Sequence, residues 1–180
     1  MDDRPPRSDD VMAVVARDRG AALGAYAYLL TGDLRDAEDL VQEALVKTFV
    51  RGRHVELSSA EGYVRTVILS TWIDTYRRRR QWERVRHLFV RGERQDGPAE
   101  MVGARSDVQA ALAQLSPQQR ACVVLRYYED LTVPETADRL GLAPGTVKRY
   151  LSVAVGRLES LLGPLADAEA TVLLNQGDAR

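Results

Sequence analysis

"LTVPETADRLGLAPGTVKRYLSVAVGRL", Leu131 to Leu158, holds two amphipathic segments joined by a turn of a few residues. Thr132 and Glu135 have the spacing of a capping box, in which a hydroxyl and a carboxylate each satisfy a free backbone N–H at a helix start. Gly141 closes that helix, because glycine enters left-handed backbone without a side-chain clash, and Pro144 opens the next with its φ already helical. Ala137 is small where two helices cross closely, and Val147, Leu151, Ala154 and Leu158 form one inward stripe at helical spacing. These are the marks of a helix-turn-helix, whose second helix lies in the DNA major groove. Lys148, Arg149 and Ser152 remain for its outward face, where side chains reach base edges, and Thr146 stands at the helix start, where a phosphate is held. An ordinary helical bundle with a solvated basic face is the plainer reading, and the combined spacing weighs against it.

Moving back along the chain, "DVQAALAQL" and "SPQQRACVVLRYY" carry helical rhythm, with Ser116 as N-cap and Pro117 at the first helical position. Before them "RGERQDGPAEMVGARS", Arg91 to Ser106, has three glycines, a proline and little apolar content, which reads as a flexible linker. The expected organisation is a domain over 9–90, a linker over 91–105, a second domain over 106–162 and a tail over 163–180. In the first domain one helix spans Asp9 to Leu30 and stops at Gly32, with Asp33 capping the next, "DAEDLVQEALVKTF", Asp36 to Phe49. A third starts near "SSAEG", where Ser58 and Glu61 have capping-box spacing, and runs through "YVRTVILSTWIDTYRRRR" into "QWERVRHLF". Strand alternation is almost nowhere, so the class is all-α, as two small helical domains. The tail "GPLADAEATVLLNQGDAR" has a short apolar segment and no assignable role.

The 180 residues carry 25 basic and 26 acidic side chains, a net charge of −1 that argues against a generic polyanion binder. Their distribution is uneven. Between Asp33 and Glu61, Asp33, Asp36, Glu38, Asp39, Glu43, Glu56 and Glu61 outweigh Arg35, Lys47, Arg51 and Arg53, whereas Arg65 to Arg94 is strongly basic. Two different partner surfaces follow from that reversal. Cys122 is the only cysteine, which excludes an intrachain disulfide or a Cys-rich metal site and suits a reducing compartment. No apolar run approaches the roughly 18 residues of a membrane span, and "MDDRPPRSDD" lacks the order of a signal peptide, so a cytoplasmic protein is expected. The run Arg77, Arg78, Arg79 and Arg80 follows Trp72 and Tyr76, and aromatic rings beside a basic strip are what single-stranded DNA requires. Core packing is the competing use of Trp72, Tyr76 and Trp82.

"TGDLRDAEDLVQEALVKTFVR", "YVRTVILSTWIDTYRRRR" and the block from Ala111 to Leu158 resemble, in order, regions 2.2, 2.3 to 2.4, and 4 of the extracytoplasmic-function sigma factors, with an actinobacterial flavour. The resemblance covers Val11 to Leu162 and implies a promoter-reading subunit of bacterial RNA polymerase. It implies that Asp36, Asp39, Gln42 and Glu43, with Leu40 of the apolar surface, meet the β′ clamp helices, which explains why an amphipathic helix carries so much acid. It implies that Ser70, Thr71, Trp72 and Tyr76 work at the −10 element, with Arg65 and Arg77 to Arg80 on phosphates. Lys148, Arg149 and Ser152 would read the −35 element, with Arg126 and Thr146 on phosphates, and this domain would also touch the polymerase β flap. Anti-sigma factors are a further implied partner. Two departures stand out: Tyr150 and Val153 occupy positions where many relatives have arginine, and Ser70 stands where asparagine is common.

Two other functions compete. Asp36, Asp39 and Glu43 share a helical face at the spacing with which all-α nucleotide hydrolases hold Mg²⁺, but such a site needs a second carboxylate pair, and the neighbouring helices offer only Asp18 and Asp74. A helix-turn-helix regulator acting without polymerase leaves the acidic helix unexplained. The expectation is therefore a non-enzymatic protein with no cofactor, metal or small-molecule substrate.

Overall fold

The computed structural model describes residues 8–49, 56–89 and 107–163, all in helices or the turns between them. The chain divides into two compact units, Met1–Gly97 and Pro98–Arg180. The stretch read as a linker and the tail beyond Gly163 lie outside the described residues.

The first unit packs three helices, α1 (Ser8–Thr31), α2 (Leu34–Phe49) and α3 (Leu57–Phe89), each against the other two. Their apolar stripes meet in a core of Leu23, Tyr26, Ala27 and Leu30 from α1, Ala37 and Ala44 from α2, and Val64, Ile68 and Leu69 from α3. The α1–α2 corner is set by local chemistry. Gly32 takes φ 75° and donates its N–H to the Tyr28 carbonyl at 2.8 Å, while the Asp33 carboxylate accepts from the Asp36 N–H at 3.0 Å and caps α2.

The start of α3 departs from the sequence expectation. Ser58 lies inside the helix, and the Glu56 carbonyl accepts from both the N–H and the hydroxyl of Ser59. Glu61 is used for tertiary structure instead of a capping box: its carboxylate lies 2.8 Å from Arg65 and 3.3 Å from Arg19, joining α3 to α1. A pair within α3 and a long-range pair to α1 take the carboxylate there in place of a local cap.

In the second unit α4 (Asp107–Ala113), α5 (Pro117–Val123) and α6 (Val133–Leu140) all pack on α7 (Pro144–Leu162). Ser116 caps α5 in a full capping box, accepting from the Gln119 N–H and donating its own N–H to Gln119 Oε1 at 3.0 Å. The helix then widens into one π-helical turn, Val124–Tyr128, with the Glu129 N–H reaching back to the Val124 carbonyl at 3.1 Å.

Candidate nucleic-acid and polymerase interface

The α6–α7 pair is built as its sequence requires. Thr132 and Glu135 form the capping box, the Thr132 N–H donating to Glu135 Oε2 at 2.8 Å and the hydroxyl donating to it at 2.6 Å. Those donors hold the Glu135 carboxyl below its usual value, the hydroxyl being the larger influence. Gly141 adopts φ 63° and ψ 44°, and the Leu142 N–H closes the helix on the Ala137 carbonyl at 2.9 Å. Pro144 starts α7 with no side-chain cap from Ala143. Val147, Leu151, Ala154 and Leu158 are buried as expected, and Val155 joins them.

Lys148, Arg149 and Ser152 are exposed on the opposite face of α7, and Thr146 is half-buried at its start. The Arg149 guanidinium lies over the Tyr150 ring, 5.7 Å from its centroid. Tyr150 is turned inward, its hydroxyl donating to Gln118 Oε1 at 2.8 Å, so it ties α7 to α5. Val153, half-exposed one turn beyond Arg149, is the apolar member of the outward face.

Arg126 requires a correction. Expected on a phosphate, it is only 6% exposed, donates from Nη1 to the Leu131 carbonyl at 3.2 Å and lies 3.6 Å from the Asp130 carboxylate. It pins the turn leading into α6. The buried Arg120 acts likewise, donating to the Leu115 carbonyl at 3.3 Å at the end of α4. Neither role has a sequence signature, because both depend on where a carbonyl ends up.

On α3, Ser70 and Arg77 to Arg80 are exposed, but several residues expected beside them are not. Thr71 is buried at 2% exposure and accepts a hydrogen bond from Lys47 Nζ at 3.1 Å. Trp72 is packed inward at 9%, stacked on Tyr76 with ring centroids 5.5 Å apart. Arg65 is half-buried, paired with Glu61 and lying over the Tyr26 ring at 5.7 Å. These three support the helix face more than they present it. Trp82, by contrast, is 73% exposed one turn beyond Arg78.

On α2, Asp39, Gln42 and Glu43 are exposed and Asp36 is half-buried, whereas Leu40 points into the core. The carboxylates face cations. Asp36 Oδ2 lies 3.3 Å from Arg79 Nη1 on α3, and Glu43 Oε1 lies 2.7 Å from Lys47 Nζ. Among the described residues no group of three His, Cys, Asp or Glu side chains is placed to hold a metal ion. No helix among them is long and apolar enough to cross a membrane.

Residues 17–83 match sigma-70 region 2, and residues 105–158 match sigma-70 region 4. The RNA polymerase sigma-E factor of Streptomyces coelicolor is 36% identical over 156 residues, which cover 86% of this chain and 88% of that protein. The ECF RNA polymerase sigma factor SigL of Mycobacterium tuberculosis is 33% identical over 163 residues, covering 86% and 90% respectively. Among solved structures, the sigma factor RpoE in complex with the anti-sigma factor NepR from Bartonella quintana aligns with a TM-score of 0.53 at 25% identity, over 82% of this chain and 93% of that one.

Proposed function

The chain belongs to the extracytoplasmic-function sigma factors of RNA polymerase, and on that premise we propose how its two units divide the work of starting transcription. As a sigma factor it makes and breaks no bond itself. The first unit binds polymerase through the acidic face of α2, with Asp39, Gln42 and Glu43 turned to basic helices of the β′ subunit and Asp36 at the edge. It opens the −10 element along α3, where Arg77, Arg78 and Arg80 neutralise phosphates and Ser70 faces the strand being read. The second unit lays α7 in the −35 major groove, with Arg149 and Lys148 as the base and phosphate contacts.

One observation carries this reading: regions 2 and 4 occur in one chain in that order, and each presents its basic helix face to solvent. The protein works in the cytoplasm beside polymerase, and an anti-sigma factor restrains it by covering the same faces. Run-off transcription by core polymerase on genomic fragments, with and without the protein, tests the assignment. Start sites that depend on the protein and share two spaced elements are expected; transcripts identical with and without it would overturn the reading.

A further inference from the structure

α3 pairs with the start of α2 at Arg79 through Asp36 and then continues to Phe89. Up to that point its inward positions are filled by Val64, Ile68 and Trp72, all buried. Trp82 is the large ring that follows, and it is 73% exposed. Tryptophan is among the side chains most buried on average, and this ring, on a helix whose other tryptophan is buried, is left open by the described residues. Its same-face neighbours are cationic. Arg78 stands four residues before Trp82 on the same helical face, about 6 Å along the axis at 1.5 Å per residue, and is exposed, while Arg79, three residues before the ring, is paired with Asp36. Glu83 follows Trp82 directly, about a quarter-turn around the helix, so it does not face the ring, and it is five residues from Arg78 and does not pair with it at helical spacing.

An apolar ring beside an exposed guanidinium, one turn apart, matches the repeat of a single strand, which offers a phosphate and an unstacked base within one nucleotide. A duplex offers only the phosphate, because its base faces are covered. We propose that Trp82, with Arg78, is a stacking site for an unpaired base of single-stranded DNA, one turn beyond the arginine run. This rests on the assignment of α3 to the opened strand, and it moves the stacking ring from Trp72, packed on Tyr76, to Trp82.

The two tryptophans make the test direct, since no others are present. In full-length Trp72→Phe protein all tryptophan emission comes from Trp82, and stacking of a base quenches it. Titration with a labelled oligothymidylate at low salt, followed by emission and by anisotropy, is expected to give saturable quenching at the concentrations where anisotropy reports binding. The Trp82→Phe protein, whose fold is undisturbed by a change at an exposed site, is expected to bind with its remaining Trp72 emission unquenched. Trp82→Ala is expected to weaken binding about tenfold, the size of one base stacked on an aromatic ring. Binding without quenching in Trp72→Phe, or quenching that persists in Trp82→Phe, overturns the stacking site. Absence of any binding overturns it together with the basic strip as a DNA surface. Run-off transcription by the unaltered protein reads the sigma assignment separately, so intact transcripts with either of the two quenching failures sink Trp82 alone, and with no binding sink Trp82 and the strip but not the assignment.

Discussion

Burial pushes the Cys122 thiol from an ordinary value near 9.0 up to about 12, because no cation or donor offsets the loss of water around a thiolate. A raised thiol value favours folding while both states are protonated. That stability is complete below about pH 9 and is lost as pH rises toward 12, since only the unfolded chain ionises in that window. At neutral pH a thiol-specific reagent should leave native Cys122 unmodified over hours and label it fully in denaturant; rapid native labelling would contradict the buried position. Arg149 is the corresponding test of an exposed side chain. A guanidinium that donates two parallel bonds to guanine discriminates by about 1 to 3 kcal/mol. Arg149→Ala should therefore flatten the preference at one −35 base, whereas Lys148→Ala weakens all sequences evenly. A saturated −35 library transcribed by each variant reads this directly, and unchanged preferences after Arg149→Ala would mean that α7 turns a different face to the groove.

At the scale of helices, the ends were legible and the cross-links were not. Thr132 with Glu135, Gly141, Pro144 and Ser116 each act through backbone within a few residues, so their spacing alone announces them. Ser116→Ala should cost about 1 kcal/mol, typical of a lost N-cap, as a lower denaturation midpoint of the second unit; an unchanged midpoint would show that α5 is held by packing alone. Ser58 with Glu61 has the same spacing and fails, because Arg65, one turn on in α3, and Arg19 on α1 share the carboxylate instead. The π-helical turn, the inward Arg126 and the bond from Tyr150 to Gln118 also depend on tertiary placement, which no local pattern encodes. The same holds for Asp36 and Arg79, read from sequence as members of two separate partner surfaces and found 3.3 Å apart. Both are substantially exposed, so a double-mutant cycle with alanine should return a coupling of only about 0.2 to 1 kcal/mol, fading in 1 M salt. A coupling that persists at high salt would point to packing of the arginine stem in place of charge.

For the whole molecule the consequence of that ion pair is that the acidic and basic faces are neighbours within one unit, while α7, the helix proposed to read the −35 element, belongs to the other. On the proposed assignment, polymerase docking through α2 brings α3 and α7 to one promoter through a covalently joined chain, so that binding of one element raises the effective concentration of the other. Loss of docking should cost function on every promoter alike, whatever its sequence. Reversal of Asp39 and Glu43 to lysine replaces exposed carboxylates on α2, leaving Ala37, Leu40 and Ala44 to pack as before. The variant should keep its helical content and its affinity for duplex DNA, and its affinity for core polymerase should fall about tenfold or more at low salt. Because exposed charges act mainly on encounter and are screened over roughly 10 Å at 0.1 M salt, that deficit should narrow as salt is raised. Titration of fluorescently labelled protein with core polymerase at two salt concentrations measures both quantities. Unchanged affinity at low salt would remove α2 from the polymerase interface, whereas a deficit independent of salt would assign these positions to close apolar contact and not to charge.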